Sequence, residues 1–464
     1  MIRFLVAPDS FKGTIDAPEV ANAIAAGIAE AGAEADVCPV ADGGEGTAAV
    51  LRAVLGGEER RVRTHDPLGR PIEASFTLLA DGRTAAVDTA AASGLPLVAP
   101  AERDAETAST RGTGELIAAA LDAGATTVLL AAGGSATTDG GLGAIEELRE
   151  RGGIGAATLE VLCDVRTPFE EAARVFAPQK GADEAAVERL TERLQRLASA
   201  LPRDPRGMPM GGCAGGLSGG LWAAFEAQLR PGADFVFALL GVERRLAAAD
   251  AAISGEGRID SQSLEGKVVG RIAELCAGAG RDLHVLVGRD DLDRAAIGDL
   301  PIRSVREAGT VEALRAAARE LAADPYRLQR FVNAQDRSGT YEQALTELRN
   351  GRKTSHWIWF VFPQIAGLGR RPAAQEYAIG SLDEARAYLA HPVLGARLRE
   401  SAAALLRHAD SSPAAILGEI DAIKLRSSMT LFARADPAEP LFEQVLGAFY
   451  GGDGDPATDR IISR

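Results

Sequence analysis

Five short segments combine glycine with residues able to move a phosphoryl group. Pro8-Asp9-Ser10-Phe11-Lys12-Gly13-Thr14 brings a carboxylate, a hydroxyl and an ammonium together, and Ala41-Asp42-Gly43-Gly44-Glu45-Gly46-Thr47 adds two more acids on a glycine-rich backbone. Gly133-Gly134-Ser135-Ala136-Thr137-Thr138-Asp139-Gly140-Gly141 carries hydroxyls, and Gln179-Lys180-Gly181 a second lysine. Ser254-Gly255-Glu256-Gly257-Arg258-Ile259-Asp260-Ser261-Gln262-Ser263 is followed by Gly266-Lys267. Glycine lets backbone N–H groups approach phosphate oxygens, and hydroxyls add donors. Lysines neutralise the transferring group, while carboxylates hold magnesium or accept the attacking hydroxyl's proton. Each segment alone also fits a plain turn with a solvated acid. The Walker pattern is absent: Ser261 stands where its first glycine should be, and Val268 follows Lys267 where Ser or Thr should.

The elements that must position these loops alternate in type. Phe4–Ala7, Thr127–Ala132, Leu159–Cys163, Ala251–Ser254 and Leu283–Val287 are apolar runs of strand length, and Val20–Ala31 reads as an Ala-rich helix. Alternating strands and helices predict an α/β fold with a parallel sheet covered on both faces and ligands at the carboxyl ends of its strands. Four of the five segments fall at such ends; Gln179-Lys180-Gly181 has no strand assigned to it. Gly211–Gly220 is expected to permit tight helix packing and to wall the cleft.

At 464 residues the chain is long enough for more than one core. All five tyrosines lie beyond residue 325 and all four cysteines before it. Residues 325–464 carry 17 Lys+Arg against 16 Asp+Glu, which leaves 33 against 49, a net of −16, for residues 1–324. A domain boundary is therefore expected at Asp324-Pro325, where proline ends an Ala-rich helix. The net charge of −15 argues against a nucleic-acid binder, and no run of eighteen apolar residues suggests a membrane span. With no apolar leader at the N-terminus, a cytoplasmic protein with reduced, buried thiols is expected.

In order along residues 1 to about 322, Pro8–Gly13, Ala41–Thr47, Gly133–Gly141, Pro178–Ala182 and Gly255–Asp260 resemble the signatures of the bacterial class I glycerate kinases. The resemblance implies ATP and Mg2+, (R)-glycerate as substrate, 2-phosphoglycerate as product and a place in organic-acid carbon metabolism. It also implies two α/β subdomains, one inserted in the other, with the active site in the cleft between them. Between Gly143 and Cys163 this chain is shorter than many members, which reads as a trimmed peripheral element, and Ala177 stands where many members place Gly.

Lys12 and Lys180 are candidates for holding the glycerate carboxylate or the transferred phosphoryl group. Asp164 and Asp260 are candidates for general base or magnesium ligand, undivided between the two roles; for Asp260 a cap is the plain alternative. Asp42 and Glu45 are candidates for positioning substrate or metal. Asp9, Ser10, Gly43, Gly44, Gly134 and Glu256 complete the expected substrate and phosphate site. Ser135 and Thr137 are candidates for phosphate donors at the start of the helix near Gly141, with Asp139 at its cap. Arg258 is a candidate carboxylate clamp. No histidine is assigned a catalytic role. Oligomeric state is open between monomer and homodimer.

Residues 326–464 read as mostly helical, with Ser355–Gln364 an aromatic-dense run expected in a small core and His356 and Gln364 at its rim. Lys424 and Arg426 stand next to Ser427, Ser428 and Thr430 as a possible anion site. Leu328–Phe331, Ser355–Gln364, Ala387–Gly395 and Lys424–Phe432 resemble a small bacterial family of unknown function sometimes labelled calpastatin-like. Two alternatives to a kinase with an accessory domain are a binding regulator whose kinase loops do not turn over, and a chain whose main activity lies in residues 326–464.

Overall fold

The computed structural model describes residues 2–264, 267–298 and 300–463. Chain contacts divide it into two units, Met1–Ala323 and Asp324–Arg464.

The first unit holds two sheets. Strands β1 (Arg3–Val6), β2 (Glu34–Val37), β3 (Gly57–His65), β4 (Pro71–Leu79), β5 (Thr84–Asp88), β6 (Thr127–Ala131), β7 (Thr158–Cys163), β8 (Gln228–Pro231), β9 (Ala251–Ile259), β10 (Asp282–Asp290) and β11 (Ile302–Glu307) follow in chain order. One sheet runs β11-β10-β9-β1-β2 and is parallel throughout. The other runs β3-β4-β5-β6-β7-β8. Its β5–β8 part is parallel, whereas β3 and β4 join antiparallel. Everything from β3 to β8 is thus inserted between β2 and β9 of the first sheet. The antiparallel pair is an addition to the expected parallel sheet. Its outer strand, Gly57–His65, is charged and mostly exposed, as suits an edge.

Alternation along the strands divides the cores. Val128 and Leu130 of β6 pack with Leu116, Ile117, Leu217 and Leu221, while Leu129 between them joins Val50, Leu51, Val236 and Phe237. On the other sheet Phe4, Val6 and Ile253 meet Ile24 and Leu314, and Leu5 and Ala252 meet Ile272 and Cys276. The helix read as Val20–Ala31 spans Ala17–Glu30; Asp16 caps it by accepting from the Glu19 N–H at 2.7 Å. The segment between Gly143 and Cys163 is the rest of a helix, Leu142–Glu150, and a tight return to β7 in which Gly152, Gly153 and Gly155 take positive φ. All four cysteines are buried and free. Among the described residues no helix is long and apolar enough to cross a membrane.

The second unit is helical, with one isolated bridge between Ile365 and Ile379 among its described residues. The aromatic run forms its core: Trp357, Ile358, Val361 and Phe362 are buried with Phe331, Tyr388, Phe432 and Phe442. Ser381 caps the Leu382–Ala390 helix by accepting from the Glu384 N–H at 3.1 Å.

Candidate active site

Backbone pairing continues past the end of β1. The Ala7 N–H donates to Ile253 O and the Asp9 N–H to Gly255 O, both at 2.9 Å, so Asp9 lies alongside Glu256. The Gly255–Ile259 segment, expected as a loop after a strand ending at Ser254, is the second half of β9. Its pairing with β10 runs on to Arg258 and Ile259, and glycine is required at 255, where a Cβ would stand 2.1 Å from Leu286 O. Glu256 therefore sits on a strand, partly buried, with Oε1 lacking any protein partner; burial pushes its carboxyl up.

Lys12 is the centre of a ring of acids. Its Nζ is 3.7 Å from Asp42 Oδ2, and its side chain is 76% exposed, free to follow a ligand. Asp42 first, then Asp9, Asp164 and Glu45, hold its ammonium above the ordinary lysine value. The acids strain against each other. Burial and then Asp42 push Asp9 up to about 7, although the Ser10 N–H, 2.6 Å from Asp9 Oδ1, and Lys12 pull the other way. Asp164, just beyond β7, is exposed at its surface, yet partial desolvation in the cleft and then Asp42 raise its carboxyl too. Asp42 itself accepts the Gly44 N–H at 2.9 Å, which shapes the loop.

The facing wall comes from the inserted sheet. A Cβ on Gly133 would lie 2.6 Å from Gly44 Cα, so these two loops meet backbone to backbone, which only glycine allows. Lys180 is 3% exposed. It lies on a short 3-10 turn, Pro178–Lys180, which explains why no strand end could be found for it. Its Nζ donates to Ser135 Oγ at 3.1 Å and Thr137 O at 2.5 Å. Burial lowers its pKa to about 7, partly offset by Asp139.

Asp139 is buried and fully used by the protein: Oδ2 accepts from the Thr110 N–H, the Thr110 hydroxyl and the Gly143 N–H, and Oδ1 from the Gly141 N–H. It caps the Leu142–Glu150 helix as expected, its carboxylate taking the Gly141 and Gly143 N–H groups, while the Ser135 hydroxyl meets Lys180 Nζ. The Thr137 hydroxyl is itself buried without a partner. Asp260 behaves as the cap considered for it, accepting the Ser263 N–H at 3.1 Å, although it still lines the cleft. Arg258 pairs with Asp291 at 2.7 Å. Glu45 is exposed beside Gly134, and Gly43 packs its backbone against Gly232. Gly266 lies outside the described residues. Asp88 went unseen in the sequence: it ends β5 and accepts from the Gly46 and Ala48 N–H groups at 2.9 and 3.0 Å, anchoring the Asp42–Glu45 loop. Its place at a strand end was the available signal.

Three adjoining cavities run along the cleft. The largest, about 530 Å³, is lined by Asp9, Asp42, Glu256, Asp260, Lys267 and Arg289 among others. The middle one, about 420 Å³, shares Ser10, Lys12 and Thr14 with it and adds Gly44, Glu45, Gly133, Gly134 and Asp164. The smallest, about 230 Å³, shares Gly133, Gly134 and Asp164 with the middle one and adds Ser135, Gln179, Lys180, Ala214 and Gly215. The last two come from the glycine-rich Gly211–Gly220 segment, which both packs and walls the cleft. No preformed cluster of three metal-ligating side chains occurs among the described residues. The converging acids and the unpartnered Glu256 oxygen nevertheless fit magnesium, which takes one or two carboxylates together with substrate phosphates.

The glycerate kinase family model matches residues 4–152 and 149–331. A model described as a protein of unknown function (DUF1810) matches residues 325–462. A glycerate 2-kinase of Escherichia coli (strain K12) is 38% identical over 304 residues, 58% of this chain and 80% of that protein. A glycerate kinase of Bacillus subtilis (strain 168) is 36% identical over 372 residues, 69% of this chain and 97% of that protein. A crystal structure described as a glycerate kinase 2 from Salmonella typhimurium LT2 superposes with a TM-score of 0.62 at 34% identity, covering 71% of this chain and 99% of that one.

Proposed function

The chain belongs to the glycerate kinase family, and from that premise we propose that residues 1–323 transfer the γ-phosphoryl group of ATP to a hydroxyl of (R)-glycerate, giving 2-phosphoglycerate and ADP. The observation that carries this reading is the row of three joined cavities, with Lys12 at one junction and Asp164 at the other. The largest cavity, with Lys267, Arg258 and Arg289 on its wall, suits the nucleotide. The smallest, with Ser135, Gln179 and Lys180, suits a three-carbon acid. The phosphoryl group then crosses the middle cavity, past the wall that the Gly44 and Gly133-Gly134 backbones form together.

In this reading Asp164 takes the proton of the attacking hydroxyl, and partial desolvation, by raising its carboxyl, makes it the better proton acceptor. The new oxygen–phosphorus bond forms as the bond to the β-phosphate oxygen breaks, and Lys12 follows the charge on the phosphoryl oxygens. Lys180 keeps the Ser135–Thr137 loop in place and lends positive potential to the substrate carboxylate. Glu256, together with Asp9 or Asp42, would hold magnesium, which when bound neutralises phosphate charge. Asp139 and Asp88 act only through the loops they anchor.

The product is tested by feeding the reaction directly to enolase, which accepts 2-phosphoglycerate but not its 3-phospho isomer. Phosphoenolpyruvate formation without added mutase is the expected result; formation only when mutase is present would assign the phosphoryl group to the other hydroxyl.

A further inference from the structure

Leu95 and Phe176 are large apolar side chains that no core claims. Both are half-buried, and neither joins any of the five hydrophobic cores of the described residues. Both line the smallest cavity of the cleft, beside Ser135, Asp164, Gln179 and Lys180. Half-buried side chains of this size ordinarily pack onto a core. These two instead border a pocket on which polar groups converge, the usual form of a small-molecule site.

The backbone fixes both in place. Ser93–Leu95 runs against Gly134–Ala136: the Leu95 N–H donates to Gly134 O at 2.8 Å and the Ala136 N–H to Ser93 O at 2.9 Å, with a bridge between Gly94 and Ser135. Leu95 is thereby tied to the loop that Lys180 Nζ reaches through Ser135 Oγ. Phe176 ends the Ala172–Phe176 helix, which leads straight into the Pro178–Lys180 turn. Ala172, Ala173 and Ala177 are fully buried with Phe169, Leu190 and Leu194, which anchors that helix. The cavity therefore has a polar set and an apolar set, each carried on rigid backbone.

We infer that Leu95 and Phe176 set the length of the acid this chain accepts, admitting a three-carbon hydroxy acid and rejecting one extended by a further hydroxylated carbon. The inference rests on the proposed kinase reaction, with the acid in the smallest cavity. Lys180, Ser135, Gln179 and Asp164 supply charge and hydrogen bonds for the carboxylate and hydroxyls of a three-carbon acid. A fourth carbon and its hydroxyl are left to the leucine and the phenylalanine. There the hydroxyl gives up water and gains no donor or acceptor, and the carbon needs volume that the two side chains occupy.

D-Erythronate, one hydroxylated carbon longer than D-glycerate, is the probe. ADP release gives kcat/KM for each acid in the full chain and in its Leu95→Ala, Phe176→Ala and doubly substituted variants. The ratio of erythronate to glycerate is read, because a loss common to both acids cancels in it. It is expected to rise about tenfold or more in each single variant and further in the double one. A folded variant whose ratio stays within about twofold of the parent's overturns the inference, as does a folded variant that loses both activities. Leu95→Ala lies on a separate segment and decides the matter if Phe176→Ala does not fold. Absence of glycerate-dependent ADP release from the parent is a different result: it refutes the kinase reading itself, and the inference falls with it.

Discussion

Replacing Lys180 with methionine separates what its burial costs from what it does. The ammonium is enclosed, and burial lowers its pKa from 10.5 to about 7. The sign follows from proton counts. Between those values the unfolded chain holds a proton that the folded chain does not, so stability rises with pH through that window. Below about 7 both states are protonated and the full burial penalty stands. At about 1.4 kcal/mol per unit, the wild type gains about 3 kcal/mol relative to Lys180→Met between about pH 6 and about pH 9.5. For a 323-residue unit this is about 4 °C in the melting temperature. The variant also leaves Ser135 Oγ and Thr137 O without their donor, a pH-independent loss that sets the baseline but not the slope. The assay is calorimetry of both proteins at the two pH values, with activity measured alongside. A stability difference that stays constant with pH would refute the argument that Lys180 is held near neutrality. Methionine is also expected to abolish most activity whichever protein is more stable.

Asp164→Asn is expected to lower kcat about 100-fold or more while KM stays within about threefold, measured by steady-state kinetics. Asp139→Ala removes four accepted hydrogen bonds from a buried helix start and should cost about 3 kcal/mol or more in urea unfolding. Gly133→Ala forces a methyl to within 2.6 Å of Gly44 Cα, so the two loops must part; kcat/KM should fall about 100-fold with little change in the unfolding midpoint.

The sequence revealed what is local. Apolar runs ending in polar loops located β1, β6 and β7, and the shift in tyrosine, cysteine and charge near residue 325 falls beside the division at Ala323 and Asp324. What stayed hidden depends on distant partners. Lys180 reads as a surface lysine until Ser135, 45 residues earlier, folds over it. Gly255–Ile259 reads as a loop because only pairing with β10 makes it a strand. Asp88 follows a run too short and alanine-rich to stand out. Asp139 was legible as the cap of the helix near Gly141, but nothing in its neighbourhood foretells the Thr110 contacts.

Incubating the full chain with ATP, magnesium and D-glycerate and following ADP release tests the central claim most directly. The account predicts one ADP per glycerate consumed, with release lost in Lys12→Ala. No release dependent on glycerate, or a Lys12→Ala protein indistinguishable from its parent, would contradict it.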